Sequence, residues 1–561
     1  MQLVINSILD GLLALLPILV VLVLMIRLRW GGAQAGPVGW LVALVVAALR
    51  FGAGWQTLAY AQAKGILLSF YVLYIIWAAL LFYRVTDEAG ALATIGAGLP
   101  RLTPDRGLQA LLLGWVFGAF LQGVSGFGVP VAIVAPLLVG LGFPAVAAVV
   151  IASVGHTWAV TFGSLGSSFY ALIAATGRTG EELAPWSAVM LGLACLACGA
   201  ATLWAAGGRR TLREGLAPLL VIGLAMATAQ FLVVTHGLWS IGGMSGGLVG
   251  LAVGVAWARW RSTRQEERTA DPRKEPARDG APGDSTPDAR SMSADARSTD
   301  RRHPAGMTSA TSAPTGMRLG WALLPYALLV AIVLAAQLLP PVHSFLGQAV
   351  IRVQFPELTT ARGWVTQAGT GRTINVFGHA GALLIYASLI TYAVFHRQGR
   401  YAPRTVPRIA RDVVRRATRS SLGIATMVGM AVTMEHAGMT HLLADGVARL
   451  SGPAFPLIAP FIGALGAFMT GSNTNSNVVF GGLQQHVATL IGVSPLIILA
   501  AQTAGGAVGS LFAPAKIIVG CSTVDLGGQE GPVLRAALRY GLAIAAGLAV
   551  VTGLAVYVWG H

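Results

Sequence analysis

The chain has 561 residues, of which 55% are hydrophobic and only 11% are charged. An apolar content this far above that of a soluble domain excludes an ordinary soluble protein and predicts a polytopic membrane protein. The formal net charge of +16 fits this class, because Lys and Arg of membrane proteins collect on cytoplasmic loops, and we expect no nucleic-acid partner.

Apolar runs of about 18 or more residues, each able to cross a hydrocarbon core about 30 Å thick, recur along the whole chain. Two of the runs are long enough to hold more than one crossing. The sequence therefore predicts an all-α polytopic membrane protein with about 12 to 14 transmembrane helices, some of them re-entrant or broken. The runs lie near residues 9–28, 37–55, 65–84, 107–122, 129–160, 187–206, 215–235, 238–258, 320–340, 376–395, 421–437, 453–470, 478–515 and 536–559.

Arginines mark the predicted cytoplasmic side of the membrane. The segment 397–419 contains eight arginines and a single acid, Asp412, and a smaller cluster occupies residues 209–213. Because short cytoplasmic loops are rich in Lys and Arg, both segments are predicted to face the cytoplasm. We expect a multi-pass protein of the bacterial inner (plasma) membrane, in contact with the lipid bilayer.

The composition changes abruptly in the middle of the chain. Residues 259–318 are dominated by Arg, Asp, Pro, Ser, Thr and Ala, with few large apolar side chains. Such a segment cannot bury enough surface to offset its chain entropy, so it is predicted to be a disordered cytoplasmic linker. It divides the chain into an N-terminal membrane half, residues 1–258, and a C-terminal membrane half, residues 319–561, each expected to contain one repeat.

Short motifs recur in the two halves at a nearly constant separation. The string GAFLQG at Gly118–Gly123 resembles GAFMTG at Gly466–Gly471, a separation of 466 − 118 = 348 residues. Gly163–Leu165 and Gly509–Leu511 share the string GSL at a separation of 509 − 163 = 346 residues. These matches predict an internal duplication, and we expect two inverted repeats.

In each repeat an apolar run stops at a polar turn that contains glycine, at residues 122–128 and 470–477. Irregular backbone at membrane depth occurs where it lines a cavity, and helix N-termini placed there suit an anionic group. We expect the two turns to meet near the middle of the membrane and to bind a small organic acid. The predicted substrate-binding residues of the turns are Gln122, Ser125, Gly126, Gly128, Ser472, Asn473, Thr474, Asn475 and Asn477.

Both turns also carry a family resemblance. The segments Gly118–Phe143 and Thr470–Gly482, together with Gly505, Gly506 and Pro514, resemble the bacterial lactate permease family. The resemblance implies a permease that carries a small monocarboxylate, such as lactate or glycolate, by proton-coupled symport and alternating access. It implies no cofactor and no enzymatic activity. Transport of another small organic anion, or coupling to Na⁺ in place of the proton, is the alternative.

The chain departs from the family pattern at three positions. Gln122 replaces a glutamate, His156 lies in a segment where the family has asparagine, and Lys516 replaces a small polar residue. The changes make the predicted site more electropositive, with Lys516 and His156 expected to contact the substrate anion. A glutamine cannot carry a proton, so His156 and Glu435 are the proton-coupling candidates. The alternatives are a lysine stem lying along apolar surface, a histidine bonded to a nearby carbonyl and a glutamate at a solvated helix end.

Two other classes of protein stay open. Gly123–Gly126 has the G-x-S-G pattern of an intramembrane serine protease, with Ser125 as nucleophile and His156 or His236 as base. A passive channel is the other class, and accumulation of substrate against a gradient separates it from a transporter.

The C-x-x-C at residues 195–198 has only one further cysteine in the chain to complete it, so no metal site is expected.

Overall fold

The computed structural model describes residues 2–28, 30–98, 103–125, 128–269, 316–526 and 530–559. Within this part of the chain, helices account for nearly all regular structure, and six two-residue strands account for the rest. Eleven helical segments of the described residues are long and apolar enough to cross a membrane, or up to twelve when one bent pair of helices counts as a single span. The predicted all-α polytopic class is confirmed.

The described residues of the first half form helices α1 Gln2–Arg27, α2 Gly32–Leu49, α3 Trp55–Glu88, α4 Ala91–Gly98, α5 Arg106–Gln109, α6 Gly118–Val124, α7 Val129–Gly140, α8 Ala145–Gly155, α9 Ser167–Thr176, α10 Gly180–Glu214, α11 Leu216–Thr235 and α12 Gly242–Thr269. A π-helical stretch, Ala110–Phe117, joins α5 to α6, and two 3₁₀ turns separate α8 from α9. Helix α12 continues past the predicted boundary at residue 258. Residues 270–315, most of the predicted linker, lie outside the described residues.

The described residues of the second half form α13 Leu319–Leu338, α14 Pro340–Leu346, β1 Val350–Ile351, β2 Gln354–Phe355, β3 Leu358–Thr359, β4 Val365–Thr366, β5 Gly369–Thr370, β6 Ile374–Asn375, α15 Ala380–Arg397, α16 Thr405–His436, α17 Met439–Ser451, α18 Phe455–Thr470, α19 Asn473–Leu490, α20 Pro495–Gly509, α21 Pro514–Ser522 and α22 Glu530–Trp559. A 3₁₀ turn, Ser510–Phe512, separates α20 from α21. The count of eleven to twelve spans lies at or just below the low end of the predicted 12 to 14, because the long apolar runs near 129–160 and 478–515 are each divided between shorter helices.

The long helices define two opposite ends of the molecule. Helix α15 begins beside the strands and ends at Arg397, next to the arginine-rich segment, so we name these the strand end and the arginine end. Helix α3 begins at the strand end, where the Ala361 amide donates a hydrogen bond to the Gly52 carbonyl at 2.9 Å. It finishes at the arginine end, where Arg84 and Asp412 form an ion pair at 2.7 Å.

A β-hairpin, residues 350–375, covers part of the strand end. Its three strand pairs are antiparallel and nested, β1 with β6, β2 with β5 and β3 with β4. Near its tip, Arg362 pairs with Asp10 of α1 at 2.8 Å, and the ring of Phe355 lies edge-on to Tyr60 of α3. Hydropathy gave no signal for this element, since its strands are too short to show an alternating apolar pattern.

The helices pack into two bundles. In the long-helix bundle, α16 packs against α2 and α3, α2 against α1, α3 against α15, and α15 against α13. In the broken-helix bundle, α5 to α12 pack with α18 to α22 through pairs such as α9 with α19, α10 with α20 and α8 with α22. The two bundles meet where α16 touches α19 and α3 touches α9.

The order of elements in the broken-helix bundle repeats along the chain. Helix α18 takes the place of the arm α5–α6 in the second half. It is followed by α19, α20, α21 and α22, as the arm is followed by α7, α8, α9 and α10. The preceding short helices, α4 and α17, begin 439 − 91 = 348 residues apart, which is the separation of the first sequence motif. This order agrees with the predicted duplication, while the inverted orientation of the repeats stays a prediction.

Glycines let α8 and α20 lie unusually close to the arms that precede them. Gly155 of α8 lies directly against the carbonyl of Gly114, and Gly505 of α20 lies against the carbonyl of Pro460. A methyl group at either glycine would overlap the backbone of the facing arm, so a larger residue would force the helices apart. The close approach places the breaks that follow α8 and α20 beside the two polar turns.

Candidate functional site

The second turn satisfies much of its own backbone as α18 ends and α19 begins. Gly471 has a left-handed backbone conformation with φ of 69°, which glycine adopts without strain. The hydroxyl of Thr470 donates to the Ser472 carbonyl at 2.9 Å, and the hydroxyl of Ser472 accepts from the Asn475 amide at 3.4 Å. Ser472 is therefore the N-terminal cap of α19.

Two asparagines of α19 connect the broken helices of both halves. Asn473 Nδ2 donates to Thr161 Oγ1 at 3.1 Å and lies 3.4 Å from Thr503 Oγ1. Asn477 Nδ2 donates to Thr503 Oγ1 and to the carbonyl of Ser168, both at 2.9 Å. Thr161 lies in the break after α8, and Thr503 lies in α20, so these bonds join the two halves at the second turn. We name this set of side chains the asparagine network.

A second layer of buried side chains supports the network. The hydroxyls of Thr474 and Ser168 are 3.0 Å apart. Gln502 Nε2 donates to Ser476 Oγ at 3.0 Å, and Gln502 Oε1 accepts from Gln484 Nε2 at 2.5 Å. Connected buried polar groups of this kind fix one arrangement of side chains, because breaking any bond leaves a desolvated group without a partner.

Several acceptor oxygens of the predicted site have no hydrogen-bond partner among the described residues. They are Gln122 Oε1, Asn473 Oδ1 and Asn475 Oδ1. Buried polar atoms nearly always have a partner, so these oxygens are available to a donor or to a cation. The side chain of Asn475 differs from the others in position: it lies beside Gly32 at the start of α2 and so faces the long-helix bundle.

The first turn is less polar than the second. The hydroxyl of Ser125 donates to the carbonyl of Leu121 in its own helix at 2.8 Å. Gly128 has a φ of 83° and starts α7 beside Val519 of α21. Gly126 lies outside the described residues, so its predicted contact with substrate stays a prediction. The structure thus gives the first turn a packing role at Ser125 and a backbone role at Gly128.

Gln122 and His156 lie on facing parts of the first half. The carbonyl of Gln122 lies against Gly163, in the same break after α8 that binds the second turn, so both turns contact this break. His156 is fully buried and faces Gly118 of α6. Its Nδ1 lies 2.7 Å from the carbonyl of Ala152, to which it donates, whereas its Nε2 has no partner among the described residues.

Lys516 supplies the positive charge of this region. It lies in the first turn of α21 and is 9% exposed, and its Nζ donates to Ser510 Oγ at 3.0 Å. The helix that carries Lys516 packs against α8, and His156 lies at the end of α8. Among the described residues no carboxylate pairs with Lys516. A buried ammonium without a counter-charge is unfavourable, and a bound anion would relieve this cost.

Glu435 lies apart from these residues, in a cavity at the strand end. The cavity has a volume of about 600 Å³ and lies between the two bundles, and Val478 of α19 lines it just beyond the asparagine network. Glu435 Oε1 is 3.0 Å from His486 Nε2, and 42% of the Glu435 side chain is accessible. We name this space the outer cavity, and its other charged residues include Lys64, whose Nζ is 3.2 Å from His436 Nε2.

A sequence model of the protein family described as L-lactate permease matches residues 10–559. The chain belongs to the L-lactate permease family. It is 28% identical to the L-lactate permease of Bacillus subtilis, over 96% of this chain and 94% of that protein. It is 28% identical to the L-lactate permease of Escherichia coli K12, over 99% and 97%, and 26% identical to the glycolate permease GlcA of the same strain, over 98% and 96%.

Membership in the L-lactate permease family confirms the resemblance read from the two turns. The named relatives are permeases, so this chain is a membrane transport protein and not an enzyme. The crystal structure of the Alcanivorax borkumensis YdaH transporter aligns with 94% of this chain and 98% of that chain, with a TM-score of 0.49 and 14% identity.

The geometry also removes support from the serine protease hypothesis. The Ser125 hydroxyl is bonded within its own helix. His156 Nδ1 is bonded to a carbonyl, and His236 is exposed, with its Nδ1 2.7 Å from the carbonyl of Leu232. A nucleophilic serine requires a hydrogen bond to its base, and neither histidine forms one with Ser125 among the hydrogen bonds of the described residues.

Sequence reasoning missed the side chains that bind the asparagines. The internal duplication could have indicated two further polar residues. Ser510 belongs to the second GSL string. Gln502 lies 502 − 156 = 346 residues after His156, which is the separation of the two GSL strings. Thr161 and Thr503 had no such signal, because an isolated threonine in an apolar run is common and its role depends on packing between distant helices.

No metal centre is found in the part of the chain that the structure describes. Within those residues, no group of three or more His, Cys, Asp or Glu side chains is placed to hold an ion. Cys195 and Cys198 are buried free thiols of α10, and the indole of Trp115 donates to the carbonyl of Cys195 at 3.0 Å. Their surroundings are those of small packing residues.

Proposed function

We propose that this protein is a secondary active permease that carries a small monocarboxylate, such as lactate or glycolate, across the bacterial inner membrane. The observation that carries the proposal is Lys516, a buried ammonium whose hydrogen-bond partner is the neutral hydroxyl of Ser510. A substrate carboxylate supplies the missing counter-charge. The names of the relatives, L-lactate and glycolate permeases, support the same substrate class.

The asparagine network suits the hydroxyl of a 2-hydroxy acid. Asn473 Oδ1 is a buried acceptor without a partner among the described residues, and a substrate hydroxyl can donate to it. A site built to bind a substrate hydroxyl discriminates strongly against an analogue that lacks it. We therefore expect lactate to be transported in preference to propionate.

The positions of the two helical arms support the predicted inverted repeats. The pair α18–α19 opens at the strand end, since His486 near the end of α19 meets Glu435 there. The arm α5–α6 opens at the opposite end, and α10 shows this. Helix α10 starts at the strand end, just after Gly177 of the outer cavity, and its 35 residues lead away from that end to Glu214. Glu214 lines a second pocket together with Arg106, the first residue of α5.

The present arrangement supports access from the strand end. The asparagine network is buried and closed, while the outer cavity extends along α19 from Val478 to His486. Because the arginine-rich segment is predicted to be cytoplasmic, the strand end is the extracytoplasmic side. We infer that transport moves the broken-helix bundle against the long-helix bundle, at the contacts of α19 with α16 and of α9 with α3.

His156 is the first candidate for the coupling proton. It lies at the end of α8, against which the helix of Lys516 packs, and its Nε2 has no partner among the described residues. Two neighbouring positive charges repel, so His156 takes up a proton most easily once a substrate anion has neutralised Lys516. Proton binding and substrate binding thereby favour one another, as symport requires. Glu435, paired with His486 in the outer cavity, is the second candidate.

Sodium is an alternative coupling ion for a specific reason. Gln122 Oε1 and Asn473 Oδ1 are buried oxygens without partners among the described residues. Hard cations take oxygen ligands of this kind. A transporter that uses these oxygens for Na⁺ would accumulate substrate under a Na⁺ gradient and would not require a pH gradient.

Uptake into proteoliposomes tests the proposed function. The purified full-length protein is offered labelled L-lactate, glycolate and propionate under an imposed pH gradient or Na⁺ gradient. We expect the two 2-hydroxy acids to accumulate against their own concentration gradients under an inward proton gradient, which a passive channel cannot do. Transport of no carboxylate would refute the substrate class. Accumulation that depends on the Na⁺ gradient alone would show that Na⁺, and not the proton, is the coupling ion.

A further inference from the structure

The residues that line the outer cavity include more cationic than anionic side chains. It lies where α3, α9, α16, α17, α19 and the β-hairpin meet, and it has a volume of about 600 Å³. None of the predicted substrate-binding residues lines it, so it is separate from the asparagine network. Its charged and titratable lining residues are Lys64, Arg372, Glu435, His436 and His486.

Neither Lys64 nor Arg372 has an ion-pair partner among the described residues. Arg372 Nη2 donates to the hydroxyl of Tyr71 at 2.8 Å, and Arg372 Nε is buried without a partner. Lys64 Nζ lies 3.2 Å from His436 Nε2 and faces the ring of Phe355. Partly desolvated cations without an ion-pair partner stabilise a bound anion.

The one acid among the described lining residues is already engaged. Glu435 Oε1 lies 3.0 Å from His486 Nε2. Its charge reaches Lys64 and His436 as well, but a single carboxylate cannot neutralise an ammonium, a guanidinium and a protonated imidazole together. The cavity therefore keeps a net positive charge whether or not His486 is protonated.

We propose that the outer cavity is a second binding site for a small carboxylate, held by Lys64 and Arg372 before it enters the asparagine network. The inference rests on the proposed transport function and adds a site distinct from that of Lys516. Val478 and Gly482 line the cavity and belong to the helix that starts at Asn473. A carboxylate that leaves the cavity toward the network thus moves along α19.

The lining residues match the chemistry of a small, hydrated anion. The guanidinium of Arg372 offers parallel donors that fit the two oxygens of a carboxylate, while the ammonium of Lys64 acts as a point charge. A cavity of about 600 Å³ is large enough for drug-sized ligands. A three-carbon acid therefore fits with part of its hydration shell, which favours capture over strict selection.

Equilibrium binding separates the two sites. Labelled L-lactate is titrated into the purified full-length protein, and we expect two lactates per wild-type chain and one per Lys516→Met chain. Adding Arg372→Gln to Lys516→Met should remove the remaining lactate. Adding Arg352→Gln should leave it bound, because Arg352 is exposed on the same β-hairpin and does not line the cavity.

Two binding results would overturn the second site. One is a Lys516→Met chain that elutes as a single folded species and binds no lactate. The other is a remaining lactate that Arg372→Gln leaves in place. Arg372→Lys, which keeps the charge and loses the forked donors, should retain part of the binding and so separates loss of charge from loss of folding.

Uptake kinetics give a second test that does not depend on the Lys516→Met chain. In right-side-out and inverted vesicles, Lys64→Gln and Arg372→Gln should each raise the KM for lactate about tenfold for entry from the strand end, the effect of losing one charged hydrogen bond. The KM for entry from the arginine end should stay unchanged. An equal rise from both ends, or none from either, would contradict the inference.

The outcomes also separate this inference from the proposed function. A wild-type chain that transports no lactate overturns both. A wild-type chain that transports lactate, with Lys64→Gln and Arg372→Gln chains that match it in KM and in binding, overturns the second site alone and leaves the site at Lys516 in place.

Discussion

The region around Lys516 and the outer cavity present positive charge in opposite surroundings. Lys516 is 9% exposed, and its Nζ donates to the hydroxyl of Ser510. Lys64 and Arg372 instead line a cavity of about 600 Å³ at the strand end. An anion must lose its water to reach Lys516, whereas it can keep part of its hydration beside Lys64 and Arg372.

This difference in exposure indicates how one chain can use cations both to capture an anion and to bind it selectively. A buried charge interacts strongly with its partner because water does not screen it, while an accessible charge attracts at longer range and holds more weakly. The outer cavity is thus suited to capture, and the site at Lys516, which we name the inner site, is suited to selection and release. Mutations should follow the same order, with larger losses at the inner site than at the outer one.

Lys516→Met should have the largest effect. The substitution keeps an apolar stem and removes the charge, so the substrate carboxylate would be buried without a partner and kcat/KM for lactate should fall at least about 100-fold. Initial uptake rates in proteoliposomes measure the loss. Lys274→Met, in the predicted linker, is the matched control. A loss no greater than that of Lys64→Gln would erase the distinction between the two regions.

His156→Gln and Glu435→Gln show which region binds the coupling proton. Under an inward gradient of about one pH unit, the wild-type chain should accumulate lactate about tenfold for one proton per lactate. We expect His156→Gln to abolish this accumulation and to retain exchange of lactate in the absence of a gradient. Glu435→Gln should keep both. The reverse pattern would place proton binding in the outer cavity.

Thr503→Val tests whether the asparagine network positions the inner site. The variant keeps the shape of the side chain and removes the acceptor of the Asn473 and Asn477 amides. An unpaired buried donor costs about 1–3 kcal/mol, so kcat/KM for lactate should fall about tenfold and the midpoint of thermal unfolding should drop. Uptake rates and a thermal melt measure the two effects.

Thr552→Val is the control for Thr503→Val. Thr552 is as fully buried, but its hydroxyl donates to the carbonyl of Leu548 in its own helix at 2.7 Å. This variant should leave transport of lactate unchanged. Equal losses of transport in the two variants would show that a buried hydroxyl matters for folding alone, and the network would lose its assigned role.

Arg362→Gln should have the smallest effect and sharpens the assignment of the outer cavity. Arg362 pairs with Asp10 at 2.8 Å near the tip of the β-hairpin, and 44% of its side chain is accessible. Exposed ion pairs contribute about 0–1 kcal/mol, so the KM for lactate should change less than about fivefold. Uptake kinetics of Arg362→Gln and Arg372→Gln, measured in parallel, give the two KM values. A larger rise than that of Arg372→Gln would mean that attachment of the β-hairpin, and not the charge of Arg372, controls entry.

The helices and the two turns could be predicted from the sequence because their signals are local. Apolar runs show where helices cross the membrane, and the polar string at 470–477 shows where one stops. Lys516 and His156 stood out as ionisable residues in apolar surroundings, and the structure buries both. The run lengths misled only where the chain folds into shorter, broken helices.

The partners of these residues could not be predicted, because they come from distant parts of the chain. Thr161 and Asn473 are 312 residues apart, and Lys64 and His436 are 372 residues apart. Arg372 lies on short strands that carry no periodic signal, so nothing in the sequence placed it over a cavity. The outer cavity is a product of tertiary packing and became visible only in the fold.

A structure of the full-length protein with L-lactate bound tests the central claim most directly. We expect the lactate carboxylate to lie about 2.7–3.2 Å from Lys516 Nζ. A bound lactate remote from Lys516, with the ammonium still bonded to Ser510 alone, would contradict the assignment of this buried lysine as the partner of the substrate.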